Sequence, residues 1–179
     1  MYTFVTGGYR SGRSNYALRR AAELGQPPWL YVSTGQDTDE AVRSRIQRHR
    51  RDVEAIWRTA VMPESLLDLL QPAPGTPGLL DGSGAAVIDG IAGWIETRLA
   101  GSDESHDKAV IEEMSAFATR LYRSAVPLVV TSTEMGLGVL PQREADLRLL
   151  RAVSSANQIL AQQAGGVVLM VSGVPFKVR

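Results

Sequence analysis

Tyr2-Thr3-Phe4-Val5-Thr6-Gly7-Gly8-Tyr9-Arg10-Ser11-Gly12-Arg13-Ser14 is the stretch on which the reading of this chain turns. Tyr2 to Thr6 is a short β-rich run that stops at paired glycines. Ser14 to Leu24 then carries alanine and leucine at helical spacing and closes on Gly25 and Pro27-Pro28. The order is strand, loop, helix. The loop from Gly7 to Ser14 fits the Walker A spacing at every defined position except one, where Arg13 stands in place of lysine. Gly7, Gly8 and Gly12 permit the turn. The amides of Tyr9, Arg10, Ser11 and their neighbours, with the positive end of the following helix, converge on one anion. Ser14 can place its hydroxyl on a magnesium ion. Taken as structure alone, such a stretch is a glycine-rich turn with no ligand. The preceding strand, the spacing and the serine together favour the phosphates of a nucleotide, GTP or ATP.

Outward from the loop, strands and helices alternate. Trp29 to Ser33 reads as a second strand, and Asp37-Thr38-Asp39 caps a charged helix from about Glu40 to Val53. A short strand near Ile56 to Thr59 and a helix from Pro63 to Leu70 follow. Gln71 to Gly84 holds three prolines and four glycines, and reads as a connecting loop and the softest part of the chain. Ala85 to Ile88 is a buried strand ending in Asp89, followed by a helix from Ile91 to Leu99. After a polar break from Gly101 to Asp107 come a helix over Lys108 to Ser124, a strand over Leu128 to Thr131, a glycine-rich loop and a helix from about Arg143 to Gln163. Val167 to Val171 and Val174 to Val178 read as a closing hairpin. The pattern predicts an α/β fold with a mostly parallel sheet, helices on both faces and ligands beyond the carboxyl ends of the strands. Asp89 is there a second magnesium partner for Ser14, or the N-cap of the next helix.

Composition sets the outer bounds. A chain of 179 residues with 44% hydrophobic content buries one ordinary core, so residues 1–179 are expected to form a single nucleotide-binding domain. Nineteen basic residues balance nineteen acidic ones, which leaves no net field to hold nucleic acid or an anionic membrane. With no cysteine, disulfides and thiolate chemistry are excluded. Neither a signal peptide nor an apolar run approaching the ~20 residues of a membrane span is visible, and a cytoplasmic location is expected.

Only two histidines are present, and His106 falls in the polar break. His49 lies in Arg45-Ile46-Gln47-Arg48-His49-Arg50-Arg51, where neighbouring cations favour the neutral, nucleophilic imidazole and attract a triphosphate. By its chemistry alone, such a histidine is more often a solvated surface residue.

A wider set of segments carries a resemblance. The glycine loop, Leu30-Tyr31-Val32-Ser33-Thr34, Arg45-Ile46-Gln47 with His49, and Trp57-Arg58-Thr59 resemble the adenosylcobinamide kinase/adenosylcobinamide-phosphate guanylyltransferase family of cobalamin assembly. So do Val130 to Pro141 with Glu134, Gly136 and Gly138, Asn157-Gln158, and Val171-Ser172-Gly173. The resemblance runs in order along nearly the whole chain. It implies a P-loop fold of RecA type, a homotrimer, and two reactions at one nucleotide site. In these the corrinoid side-chain hydroxyl is phosphorylated, and the resulting phosphate then attacks a GMP–histidine intermediate. It further implies that His49 is the residue guanylylated, and that Ser33, Thr34, Gly35, Arg50, Arg51 and Asp52 surround the nucleotide. The chain departs from the family pattern at Arg13 for lysine, Val61 for glutamate and Thr133 for asparagine, and at Leu150 and Ser154. Arg13 keeps the charge but brings a planar fork, and it falls on the kinase step. A member that has lost turnover and binds or senses nucleotide or corrinoid is the alternative; an unrelated small-molecule kinase on the same scaffold is a third.

Overall fold

A computed structural model describes residues 1–34, 57–70, 77–103 and 105–179. Seven strands form one sheet: β1 (Tyr2–Gly7), β2 (Trp29–Ser33), β3 (Trp57–Val61), β4 (Ala85–Asp89), β5 (Leu128–Thr133), β6 (Gly166–Val171) and β7 (Val174–Lys177). Their order across the sheet is β3-β2-β4-β5-β1-β6-β7. Every neighbouring pair is parallel except β6 and β7, the antiparallel hairpin that closes the chain. The helices are α1 (Arg13–Leu24), α2 (Leu66–Leu70), α3 (Ile91–Leu99), α4 (Ser105–Arg123) and α5 (Glu144–Gln163).

Strand side chains alternate between the two faces, and the two cores follow that alternation. Tyr2, Phe4, Leu30, Val32, Ala86, Ile88, Leu128 and Val130 point to one face. There they meet Leu66 and Leu69 of α2, Ile91 and Ile95 of α3, Met114, Phe117 and Leu121 of α4, and Val153, Ala156 and Leu160 of α5. Val5, Trp29, Tyr31, Val87 and Val129 point to the other, beneath Ala17, Leu18 and Ala21 of α1. Because the central strands are covered on both sides, their sequences read as continuous apolar runs. All three tryptophans belong to the packing: Trp29 and Trp57 lie with ring centroids 5.2 Å apart, and Trp94 Nε1 donates to the Glu64 carbonyl at 3.0 Å.

Among the described residues the fold agrees with the sequence pattern, with local differences that have physical causes; the helix expected from about Glu40 to Val53 lies outside those residues. The third helix of the pattern begins at Leu66 rather than Pro63, because Glu113 accepts from the Leu66 N–H at 2.7 Å and from Ser65 Oγ at 2.8 Å, which satisfies the helix start from outside. α4 begins at Ser105 instead of Lys108 and takes in His106, with Asp107 in its first turn, where a carboxylate suits the helix dipole. Asp107 also receives the guanidinium of Arg148 from α5. Of the expected loop from Gln71 to Gly84, residues 77–84 are described and pack against the body. Leu80 is buried in the larger core, and Arg58 donates to the Asp81 carbonyl at 2.8 Å and to Ser83 Oγ, so this turn is docked on β3.

Candidate active site

Four parallel strands, β2, β4, β5 and β1, end at the same edge, because their registers align Ser33 with Asp89, Asp89 with Thr131, and Gly7 with Thr133. β1 delivers the glycine loop into the middle of that edge. A methyl group on Gly7 would stand 2.6 Å from the Met170 carbonyl oxygen and from Ser11 Oγ, so no larger residue fits where the loop leaves the sheet. Gly12 caps α1 at φ 90°, the left-handed region that glycine enters without strain. The turn is fixed by Ser11 N–H donating to the Gly8 carbonyl at 3.2 Å and Glu134 N–H donating to the Gly7 carbonyl at 2.9 Å. The turn of the C-terminal hairpin adds Gly173 N–H, which donates to the Ser11 carbonyl at 2.9 Å. No side chain caps the start of α1, which leaves first-turn amides directed at the loop's concave side. Tyr9 and Arg10 are exposed at the rim.

Beside the loop lies a buried carboxylate. Asp89, 5% exposed, accepts from Ser14 Oγ at 3.1 Å and also from the hydroxyls of Tyr31 and Thr131. Parallel register sets this arrangement: Tyr31, Asp89 and Thr131 all project to the α1 face, from three adjacent strands. Asp89 does not cap α3. The N-cap is Gly90, which has no side-chain cap, and the hydroxyls hold the carboxylate towards the loop. One carboxylate and one hydroxyl, both hard oxygen donors, match what magnesium takes from a protein when phosphates and water complete its shell. Among the described residues no group of three or more histidine, aspartate or glutamate side chains forms a self-sufficient metal site.

Arg13 points where the sequence pattern did not suggest. Its Nη1 donates to the carbonyls of Gly8 at 2.9 Å and Gly7 at 3.3 Å, and its Nη2 donates to Thr133 Oγ1 at 2.7 Å. The fork thus grips the back of the loop and the end of β5. Thr133 is itself held by Asn157 of α5, whose Nδ2 donates to the Thr133 carbonyl at 2.9 Å.

A cavity of about 790 Å³ opens over these groups, lined among others by Arg10, Gly12, Ser14, Thr34, Asp89 and Glu96, a size typical of small-molecule sites. The structure therefore brings together the whole loop from Gly7 to Ser14, Asp89, Ser33 at the buried end of β2, and Thr34. Gly35, His49, Arg50, Arg51 and Asp52 lie outside the described residues. Tyr31, Thr131 and Thr133 were missed by sequence reasoning. A signal for the first two existed, since a hydroxyl residue lies within each strand on either side of Asp89, but it needs the strand order to be visible.

The wider comparisons bear on what such a site does. A family model described as cobinamide kinase / cobinamide phosphate guanyltransferase matches residues 3–178. The chain belongs to that family. Relatives within it include the bifunctional adenosylcobalamin biosynthesis protein CobU of Salmonella typhimurium, 29% identical with all of both chains covered. The corresponding CobU of Escherichia coli is 27% identical, also over all of both chains. The bifunctional adenosylcobalamin biosynthesis protein CobP of Pseudomonas aeruginosa is 28% identical over all of this chain and 98% of its own. Among solved structures, an ATPase domain superposes with a TM-score of 0.50 at 13% identity, covering 94% of this chain and 68% of that one. This last likeness concerns the fold alone and agrees with a P-loop nucleotide-binding architecture. No helix among the described residues is long and apolar enough to cross a membrane.

Proposed function

We propose that the chain is a bifunctional enzyme of cobalamin assembly that phosphorylates adenosylcobinamide and transfers GMP from GTP to the resulting phosphate. The observation that carries the reading is the glycine loop at the carboxyl edge with Ser14 Oγ 3.1 Å from the buried Asp89 carboxylate, in a chain matched by the family over residues 3–178. In this reading the amides of residues 7–14 hold the phosphates, and Ser33, Thr34, Gly35, Arg50, Arg51 and Asp52 complete the nucleotide pocket. Ser14 and Asp89 hold magnesium, which when bound neutralises charge developing on the phosphates.

Guanylyl transfer runs in two displacements. A ring nitrogen of His49 attacks the α-phosphorus of GTP, the bond to the β-phosphate oxygen breaks, and pyrophosphate leaves. A phosphate oxygen of adenosylcobinamide phosphate then attacks the same phosphorus, the phosphorus–nitrogen bond breaks, and the imidazole is regenerated. In the kinase step the corrinoid side-chain hydroxyl attacks the γ-phosphorus, its proton is lost and the nucleoside diphosphate departs. Arg13 in place of lysine bears on this step, because the loop cation lies by the transferring phosphate in the family pattern. The working setting we propose is a cytoplasmic homotrimer of single-domain subunits, on the family resemblance.

GTP labelled in the α-phosphate tests the reading. Incubated with the protein and magnesium, it is expected to leave an acid-labile label that disappears in His49→Ala and is discharged by adenosylcobinamide phosphate. Absence of label at saturating GTP would reduce the chain to a nucleotide or corrinoid binder.

A further inference from the structure

We propose that Arg13 and Thr133 form a brace that preshapes the glycine loop from behind, with Thr133 as a positioning residue that holds the guanidinium against the loop's main chain. The proposal rests on the reading of the loop as a nucleotide site, and its geometry stands apart from that reading.

A loop whose amides face an anion must turn carbonyl oxygens the other way, and those oxygens carry partial negative charge. Here two of them, on Gly7 and Gly8, receive Arg13 Nη1, while Nη2 reaches across to Thr133 Oγ1. Gly7 O also accepts the Glu134 N–H, so β5 and the loop are joined twice within one residue of each other. Thr133 is a firm post, because its own carbonyl accepts from Asn157 Nδ2 and that asparagine is buried on α5. The path α5, Thr133, Arg13, loop carbonyls is continuous. Two nitrogens at the ends of a planar fork serve three acceptors. An ammonium is a single point of charge and cannot serve the carbonyls and Thr133 Oγ1 in the same way.

Loss of the brace and loss of a phosphate contact make different forecasts. In a P-loop the amides cradle the α- and β-phosphates, whereas the side-chain cation reaches the β- and γ-phosphates. Loss of a brace disturbs the cradle and weakens diphosphate and triphosphate alike. Loss of a clamp weakens the triphosphate selectively.

GTP and GDP affinities are therefore measured by calorimetry for the wild type, Arg13→Lys, Thr133→Val, the double variant and Thr133→Ser. Arg13→Lys and Thr133→Val are each expected to weaken both nucleotides by a similar factor, roughly tenfold. The double variant should bind no worse than Arg13→Lys, and Thr133→Ser, which keeps the hydroxyl, should recover most of the loss. Selective loss of GTP in Thr133→Val, additive effects in the double variant, or an inert Thr133→Val would overturn the brace. Heat denaturation of the same variants without nucleotide gives a second, ligand-free readout: Tm should fall in each single variant and fall no further in the double. Failure of the wild-type protein to bind either nucleotide would count against the proposed function, and the denaturation cycle would still decide the brace.

Discussion

The two sides of the glycine loop hold their charges differently. On one side Asp89 is buried among hydroxyls from Ser14, Tyr31 and Thr131, side chains whose positions follow from parallel strand register and the first turn of α1. On the other, Arg13 directs its guanidinium to the main chain of Gly7 and Gly8 and to Thr133. Among the described residues the acid accepts from hydroxyls, and the base donates to main-chain carbonyls and to a threonine hydroxyl. An acid beside the loop and a base within it thus rest on different kinds of partner, hydroxyls for the one and mainly main-chain carbonyls for the other.

Substitutions on the acidic side sharpen the contrast. The largest expected effect is Asp89→Asn, which keeps the shape, exchanges one acceptor oxygen for an NH2 donor and removes the charge; magnesium-dependent labelling from GTP should fall on the order of a hundredfold. Labelling at the wild-type rate would mean that Asp89 is structural only. Ser14→Ala comes next. It should weaken GTP roughly tenfold with magnesium present and leave binding in excess chelator unchanged, whereas equal losses in both conditions would place the serine in the scaffold. The smallest change is Tyr31→Phe, which removes one donor from a buried carboxylate. A stability loss of about 1–2 kcal/mol in urea denaturation is expected, with magnesium-dependent labelling reduced only a few-fold. Loss of labelling as deep as that of Asp89→Asn would show that the hydroxyl shell does more than orient the acid.

Much of this was legible in the chain itself. The bounds Trp29–Ser33 and Ile91–Leu99 follow from apolar patterning and breakers, and the strand, loop and helix around Gly7 to Ser14 follow from the fixed spacing of their glycines and serine. What escaped depends on contacts between segments distant in sequence. Thr131 meets Asp89 only because β4 and β5 are neighbours, 42 positions apart along the chain. The partners of Arg13 were not legible either, since neither Thr133, 120 positions away, nor the direction of the loop carbonyls is visible in a linear pattern. The start of α4 was misplaced because Arg148 stabilises Asp107 from another helix. Nor do the prolines and glycines from Gln71 to Gly84 reveal that Leu80 is buried and that Arg58 donates to the Asp81 carbonyl.

The central claim, that residues 7–14 form a cradle for a nucleotide, is tested most directly by titrating magnesium–GTP into the wild-type protein and into Gly12→Val. Gly12 sits at φ 90° with Gly173 Cα 3.3 Å from where a side chain would begin, so valine distorts the mouth of α1 where the amides converge. Saturable binding by the wild type and none by the variant, with both folded by circular dichroism, is the predicted result. Equal affinity in a folded variant, or a wild type that takes up no GTP, would contradict it.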